Sequence, residues 1–375
     1  MSELHYPDLF IRGFRGLSDL SLSSLGRVNL ITGKNNSGKS SILEALRLHA
    51  QNGAYSTISS ILSFREENVR TPENGEHAYE IERPFQISAL FHGYPQLSGH
   101  IEPIVISTSG KSHPSALTMS VDWFIEERDE EGRRRLVDHK SMLFEESEPI
   151  PALVTKTEDR ETIRSLESIT RYAQLRRNPR LRPSDEPRMP CLLVSPYVGL
   201  GTYTLGELWD DIHLTDDEND VIEALRIIDP RITAVGMVGG EGPSQRRAIV
   251  RASHINRPVP LRSFGDGLNR LFAIILSLVG VRNGILLIDE VETGLHHTVQ
   301  LDIWRVILRL SISRDVQVFA TTHSKDAVEA FQQATAETPE EGTLVRLAQR
   351  GDSIVPTIAL EDELGIATRH DIEVR

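Results

Sequence analysis

The eight residues Gly33-Lys34-Asn35-Asn36-Ser37-Gly38-Lys39-Ser40 narrow the folds open to this chain more than any other stretch. They have the spacing of a phosphate-binding loop and lie between an apolar run at 28–31 and a helical run at 41–49. A strand that ends in such a loop and opens into a helix aims successive backbone N–H groups and a helix N-terminus at one anion. Gly33 and Gly38 let the backbone curl without a side chain in the anion's way. Asn35, Asn36, Ser37 and Ser41 complete the expected cradle, Lys39 reaches the β- and γ-phosphates, and the Ser40 hydroxyl suits Mg²⁺. The chain is therefore expected to bind a nucleoside triphosphate, with ATP and Mg²⁺ as its ligands.

A second cluster lies about 250 residues downstream. The continuous apolar run at 284–288 reads as a strand buried on both faces, and it ends in Asp289-Glu290. Carboxylates at that end of a strand stand where an α/β sheet binds its ligands. Asp289 suits Mg²⁺ opposite Ser40, and Glu290 suits a base that orients and deprotonates water. Upstream, Arg262-Ser263-Phe264-Gly265-Asp266-Gly267 precedes the nearly all-apolar helical run 268–281. Ser263 and Gly265 at a helix N-terminus make a second anion site by the same physics. One nucleotide does not need two such sites from one chain. Downstream, 315–320 reads as another buried strand and ends in Thr321-Thr322-His323-Ser324, which places His323 to touch a γ-phosphate.

Composition removes several function classes. The chain's 375 residues suggest about two domains. A net charge of −13 argues against a wholly basic nucleic-acid binder. The single cysteine, Cys191, allows neither an internal disulfide nor a cysteine metal cluster, and its neighbours Leu192 and Leu193 suggest a buried thiol. The longest apolar stretch, 271–281, is short of the roughly 20 residues that span a bilayer. With no signal peptide in Met1-Ser2-Glu3-Leu4-His5, a cytoplasmic location without membrane contact is expected.

Between the two clusters the pattern changes twice. Residues 81–144 contain alternating runs such as 117–125, with a turn near Glu131-Gly132, and suggest antiparallel strands. Residues 146–242 read as helical and charged, punctuated by Pro179, Pro183, Pro187 and Pro190. The expected division is thus 1–145, an inserted helical lobe at 146–244, and 245–375. No coiled coil tens of residues long and no internal repeat is visible. Arg160, Arg164, Arg171, Arg176, Arg177, Arg180, Arg182 and Arg188, with Tyr172 among them, concentrate positive charge in the insert. Two readings stay open for them: salt-sensitive DNA binding, or a solvated face paired with acids such as Asp216-Asp217-Glu218.

Taken in order, Gly33 to Ser40, Ser263-Phe264-Gly265-Asp266, Ile288-Asp289-Glu290, Glu292-Thr293-Gly294-Leu295-His296 and Thr321-Thr322-His323-Ser324 resemble the motifs of ABC-class ATPase heads of the SMC, RecF and OLD type. The opening Phe10-Ile11-Arg12-Gly13-Phe14-Arg15-Gly16-Leu17 is similar to the first strand of those heads, and the likeness covers about 7–50 and 255–330. It is strongest to prokaryotic OLD-like ATPases, many of which serve antiphage defence. The resemblance implies an α/β P-loop NTPase head with a mixed core sheet, an antiparallel β subdomain and an inserted helical lobe. It implies Lys39 and Ser40 as Walker A residues, Asp289 as the Walker B aspartate, Glu290 as the general base and His323 as the switch histidine. Ser263 and Gly265 would form the signature loop that caps the γ-phosphate of the opposite protomer, and 292–296 the D-loop between protomers. ATP would then join a homodimer, or a higher oligomer.

The departures matter too. Arg262, Phe264 and Asp266 replace the first, third and fifth positions of the transporter signature Leu-Ser-Gly-Gly-Gln, so slow hydrolysis is expected. Gln86, in a strand-like stretch at 85–91, is a candidate for the Q-loop glutamine, and an exposed strand residue is the competing reading. About 50 residues follow His323, with a hairpin expected at Gly351-Asp352 and a short helix near 361–364, too few for the Toprim nuclease domain of OLD nucleases. Asp362 and Glu363 read as a solvated first helical turn.

Three function classes remain: an ATP-driven switch that senses DNA or a foreign protein and controls an effector such as a nuclease or toxin, a RecF-like repair ATPase, and a transporter's nucleotide-binding subunit. If the arginine stretch binds DNA, replacing Arg176 and Arg177 with Glu abolishes retention on a DNA column and spares nucleotide binding. Unchanged retention discards that patch.

Overall fold

The computed structural model describes residues 3–67, 86–97, 101–110, 115–128, 134–138, 148–166, 187–196, 202–239, 246–338, 341–351 and 353–359. The chain divides into two compact units, one of Met1–Asp8, Leu22–Leu43 and Met189–Arg375, the other of Leu9–Ser21 and Glu44–Arg188.

The first unit is built on a six-stranded sheet. Its strands are β3 (Val28–Gly33), β9 (Cys191–Val194), β13 (Gly284–Ile288), β14 (Val316–Thr322), β15 (Gly342–Arg350) and β16 (Ser353–Ala359), in the order β16-β15-β3-β14-β13-β9. Every pairing is parallel except the β15–β16 hairpin. All residues of β3, β13 and β14 are buried, as continuous apolar runs require when a sheet is covered on both faces. Buried polar groups in these strands are paired: the Gln317 amide of β14 donates to the Tyr6 and Gly26 carbonyls and accepts from the Tyr6 N–H.

Five described helices belong to this unit. They are α3 (Thr202–Ile212), α4 (Asp216–Arg226), α5 (Asp266–Gly280), α6 (His297–Arg314) and α7 (Lys325–Thr335). α5 is buried almost throughout, in line with its apolar sequence. α6 and α7 meet through Trp304 and Phe331, whose rings stand edge to face at 4.9 Å, and the Trp304 indole N–H donates to Ala327 O. Ser324 caps α7 by accepting from the Ala327 N–H. The acidic Asp216-Asp217-Glu218 forms the first turn of α4, where Asp217 pairs with Arg314 and Arg282. A small antiparallel sheet of β10 (Ile232–Val238), β11 (Arg247–Ala252) and β12 (Val259–Pro260) completes the unit.

The second unit carries an antiparallel sheet in the order β2-β1-β4-β5-β7-β8, with β6 paired to β5. Its strands are β1 (Leu9–Phe14), β2 (Leu17–Leu22), β4 (Ile104–Thr108), β5 (Ser115–Arg128), β6 (Arg134–Asp138), β7 (Ile150–Lys156) and β8 (Glu161–Ser165). The unit boundary falls inside α1 (Lys39–Ala50), and α2 (Tyr55–Phe64) follows it. Buried Arg15 is neutralised by Glu44 at 2.7 Å and Glu67 at 2.8 Å, and Arg65 shares Glu44.

Several expectations need correction. The stretch 146–244 is not a uniform helical insertion: β7 and β8 extend the antiparallel sheet, β9 joins the core sheet, and only α3 and α4 are helical among its described residues. The β-branched and apolar run at 150–155 explains the strands, and the charged flanks had masked it. Gln86 precedes a 3-10 turn, Ile87–Leu90, rather than lying in a strand; all four residues of that turn are buried, with Ile87 and Leu90 eclipsed at its two ends. Cys191 is half-buried, because β9 is the sheet's outer strand. Arg188 pairs with Glu158 at 3.0 Å, whereas Arg171, Arg176, Arg177, Arg180, Arg182 and Tyr172 lie outside the described residues, as do Glu131-Gly132 and 361–364. The β15–β16 hairpin lies where Gly351-Asp352 suggested. Among the described residues no helix is long and apolar enough to cross a membrane.

His49, fully buried on α1 with Nε2 3.3 Å from Ser115 O, is held down to about 4 by burial, with the charge of Arg188 adding to the effect. The unfolded chain takes up this proton near pH 6.5 and the folded chain does not, so stability is full above that pH and is lost as pH falls toward 4. Urea unfolding is expected to show about 2 kcal/mol less stability at pH 5 than at pH 7 from this group. His49→Gln removes that share, and an unchanged pH dependence in the variant disproves it.

Candidate nucleotide-binding site

Parallel pairing puts the C-terminal ends of β3, β14 and β13 on one edge of the core sheet, and the loops that leave them carry the candidate residues. Gly33 closes β3 with φ of 151°, and a Cβ there would lie 2.5 Å from Leu347 O of β15 and 2.8 Å from Ser37 Oγ. Asn36 at φ 62° and Gly38 at φ 86° then reverse the chain in the left-handed region, which Asn and Gly tolerate best. Ile42 N–H donates to Gly38 O, so α1 winds directly out of the loop. Asn35 and Asn36 are exposed, Gly38 and Ser40 half-buried, and Ser37 and Ser41 buried.

Lys39 is buried, and its ammonium donates to Gly33 O and Lys34 O at 2.8 Å each, which closes the loop on itself. Burial pulls its pKa below the ordinary lysine value, while Asp289, Glu290 and Glu292 oppose that shift. The Ser40 hydroxyl stands 3.3 Å from both Asp289 carboxylate oxygens. A hydroxyl facing a carboxylate offers the hard oxygen donors that Mg²⁺ takes alongside phosphate, so these two residues fit that ion. Among the described residues no cluster of three or more His, Cys, Asp or Glu forms a separate metal cage.

Buried Thr321 organises the carboxylates. Its hydroxyl donates to Asp289 Oδ1 at 2.6 Å and accepts the Glu290 N–H at 2.9 Å. Glu290 takes a left-handed φ of 48°, strained for a side chain with a Cβ, which turns it out of line with β13. Its carboxylate accepts from Thr293 Oγ1 at 3.2 Å and lies 3.2 Å from His323 Nε2. The His323 N–H donates to Glu292 Oε1 at 2.8 Å. Lys39, Ser40, Asp289, Glu290 and His323 are thus brought into one group.

Among the described residues no hydrogen bond joins Ser263 or Gly265 to that group. Ser263 is exposed on the 3-10 turn Leu261–Phe264, and Gly265, at φ 102° with open space where a Cβ would lie, begins α5 without a side-chain cap. The backbone of α5's first turn meets 292–296, since a Cβ on Gly267 would collide with Gly294 O. Sequence reasoning missed Arg270, which α5 buries against the carbonyls of Ser195 and Asp289. Its signal was legible: one cation inside an otherwise apolar helix. It also gave Thr321 no role of its own.

Residues 8–181 match the family described as "AAA ATPase domain", and residues 200–328 match "AAA domain, putative AbiEii toxin, Type IV TA system". Three curated relatives share shorter segments. "Uncharacterized protein MJECL10" of Methanocaldococcus jannaschii is 58% identical over 40 residues, 11% of this chain and 18% of that protein. "ATP/GTP phosphatase" of Helicobacter pylori is 34% identical over 91 residues, 24% of this chain and 25% of that protein. "Uncharacterized protein MJECL11" of M. jannaschii is 30% identical over 95 residues, 25% of this chain and 82% of that protein. The chain thus spans a quarter or less of the first two. Among solved structures, the SmcHead bound to the C-winged helix domain of ScpA superposes with a TM-score of 0.53 at 11% identity, over 97% of this chain and 99% of that one. The phosphate loop and the carboxylates that end the neighbouring strand agree with these matches: two stretches of the chain match AAA ATPase domain families, and its fold is that of an SMC head.

Proposed function

We propose that the chain hydrolyses ATP to ADP and phosphate as a nucleotide-gated homodimer, and that this switch senses DNA or a foreign protein and controls a partner effector in antiphage defence. The observation that carries the hydrolytic reading is the placement of Glu290, turned out of β13 and held by Thr293 and His323, beside an Asp289 that faces Ser40. Glu290 takes a proton from the attacking water as its oxygen bonds to the γ-phosphorus and the bond to the β–γ bridging oxygen breaks. Lys39 meets the β- and γ-phosphates, the loop N–H groups hold them, and His323 orients Glu290 and the γ-phosphate. Ser40 and Asp289 would hold Mg²⁺, which would supply positive charge to the phosphate oxygens.

Exposed Ser263 and Gly265 support the dimeric reading. They begin a long helix at an uncapped N-terminus, remote in bonding terms from the chain's own phosphate loop, and so suit the γ-phosphate of a second copy. The relative named as an ATP/GTP phosphatase supports hydrolysis. The toxin–antitoxin wording of the matched family supports an effector-controlling role, and the ScpA domain on the superposed head supports a protein partner.

Lys39→Ala removes the cation that meets the phosphates and is expected to cost about 1.5–3 kcal/mol, at least tenfold in Kd for ATP by titration calorimetry. Glu290→Gln keeps the shape and removes the base. Turnover is expected to fall about 10²–10⁴-fold, and light scattering in ATP should show doubled mass. Normal turnover in Glu290→Gln removes it from the base role; unchanged mass in ATP removes the dimer.

A further inference from the structure

We propose that Arg270 is the positioning residue for the hydrolytic carboxylate, and that it ties that carboxylate to the helix whose N-terminus faces the second copy's nucleotide. The proposal rests on the ATPase reading above and deepens it.

Beyond Asp266 in its first turn, Arg270 is the only charged residue of α5. An apolar helix that buries a guanidinium bears a desolvation cost, visible as a pKa lowered to about 10 by burial against the opposing pull of Asp289, Glu290 and Glu292. What the burial secures is a set of backbone contacts. Nη1 donates to Ser195 O at 2.5 Å and Nη2 to Asp289 O at 2.6 Å, with Val194 O and Glu290 O each at 3.4 Å from Nη2. The planar fork therefore spans the chain leaving β9 and the chain leaving β13. It grips the peptide between Asp289 and Glu290, just where Glu290 adopts its strained φ of 48°. None of these bonds reaches the carboxylate itself, so Arg270 acts on Glu290 through the main chain.

Three residues earlier on the same face of α5, the Gly267 backbone lies against Gly294 O. The segment 289–294 is thus held at both ends by one helix turn, and that turn follows immediately on Ser263 and Gly265. An anion that draws on the start of α5 moves the peptide carrying Glu290 by the same displacement. A lysine keeps the charge but offers one ammonium where two strands need a fork.

The test uses the full chain and compares wild type, Arg270→Lys and Arg270→Met in ATP-analogue binding, thermal unfolding and steady-state hydrolysis. Arg270→Met is expected to bind the analogue within about twofold of wild type while kcat falls at least tenfold, and Arg270→Lys to recover part of that loss. Unchanged kcat overturns the proposal, as does a loss of binding that parallels the loss of kcat. Should Arg270→Met not fold, Gly267→Ala disturbs the same helix–turn contact from outside the buried arginine and must give the same split. A wild type that hydrolyses ATP without dimerising sinks the shared-nucleotide reading; a wild type that does both, with unaffected variants, sinks the Arg270 coupling alone.

Discussion

Parallel pairing of three buried strands is the constraint on which the remaining structure depends. Because β3, β14 and β13 run the same way, a loop, a histidine and two carboxylates that are far apart in sequence leave the sheet at one edge. Each strand is buried on both faces, so none can slip in register without stranding backbone groups in an apolar core. The site inherits its geometry from that rigidity. Thr321, the penultimate residue of β14, reaches sideways to set both Asp289 and Glu290 of the neighbouring strand.

Charge balance is the second organising theme. Lys39 and Arg270 are both buried cations beside the same carboxylates, and both direct their N–H groups at main-chain carbonyls. Lys39 shapes the loop that meets phosphate, and Arg270 shapes the turn that meets water. The acidic side chains lower the cost of holding these cations out of solvent, so the two halves of the site stabilise each other.

Much of the site was legible in the sequence because its local chemistry is encoded locally. Glycine spacing forces the loop, a continuous apolar run forces β13, and the carboxylates follow it directly. The core sheet and the antiparallel strands were legible for the same reason. The mixed character of 146–244 was not, since β7 and β8 are short and partly exposed and the strand that ties their hairpin to the sheet, β5, lies outside that stretch. The Gln86 turn was read as a strand because Ile87, Ala89 and Phe91 fall at alternate positions, a period that so short a stretch cannot distinguish from a 3-10 turn. Arg270 was hidden by the habit of reading an apolar helix as pure core, when its partners are carbonyls supplied by other segments that no motif records.

Gly33 sits beneath the Leu347 carbonyl, and β3 lies between β14 and β15. The strands that flank it, β14 and β15, lie some three hundred residues further along the chain and so leave the ribosome well after it. Until then β3 has neither hydrogen-bonded neighbour, and an apolar strand with open edges invites mispairing. A growing chain consequently lacks the Leu347 carbonyl that packs on Gly33, and the phosphate loop is left without its supporting strands until β14 and β15 have been made.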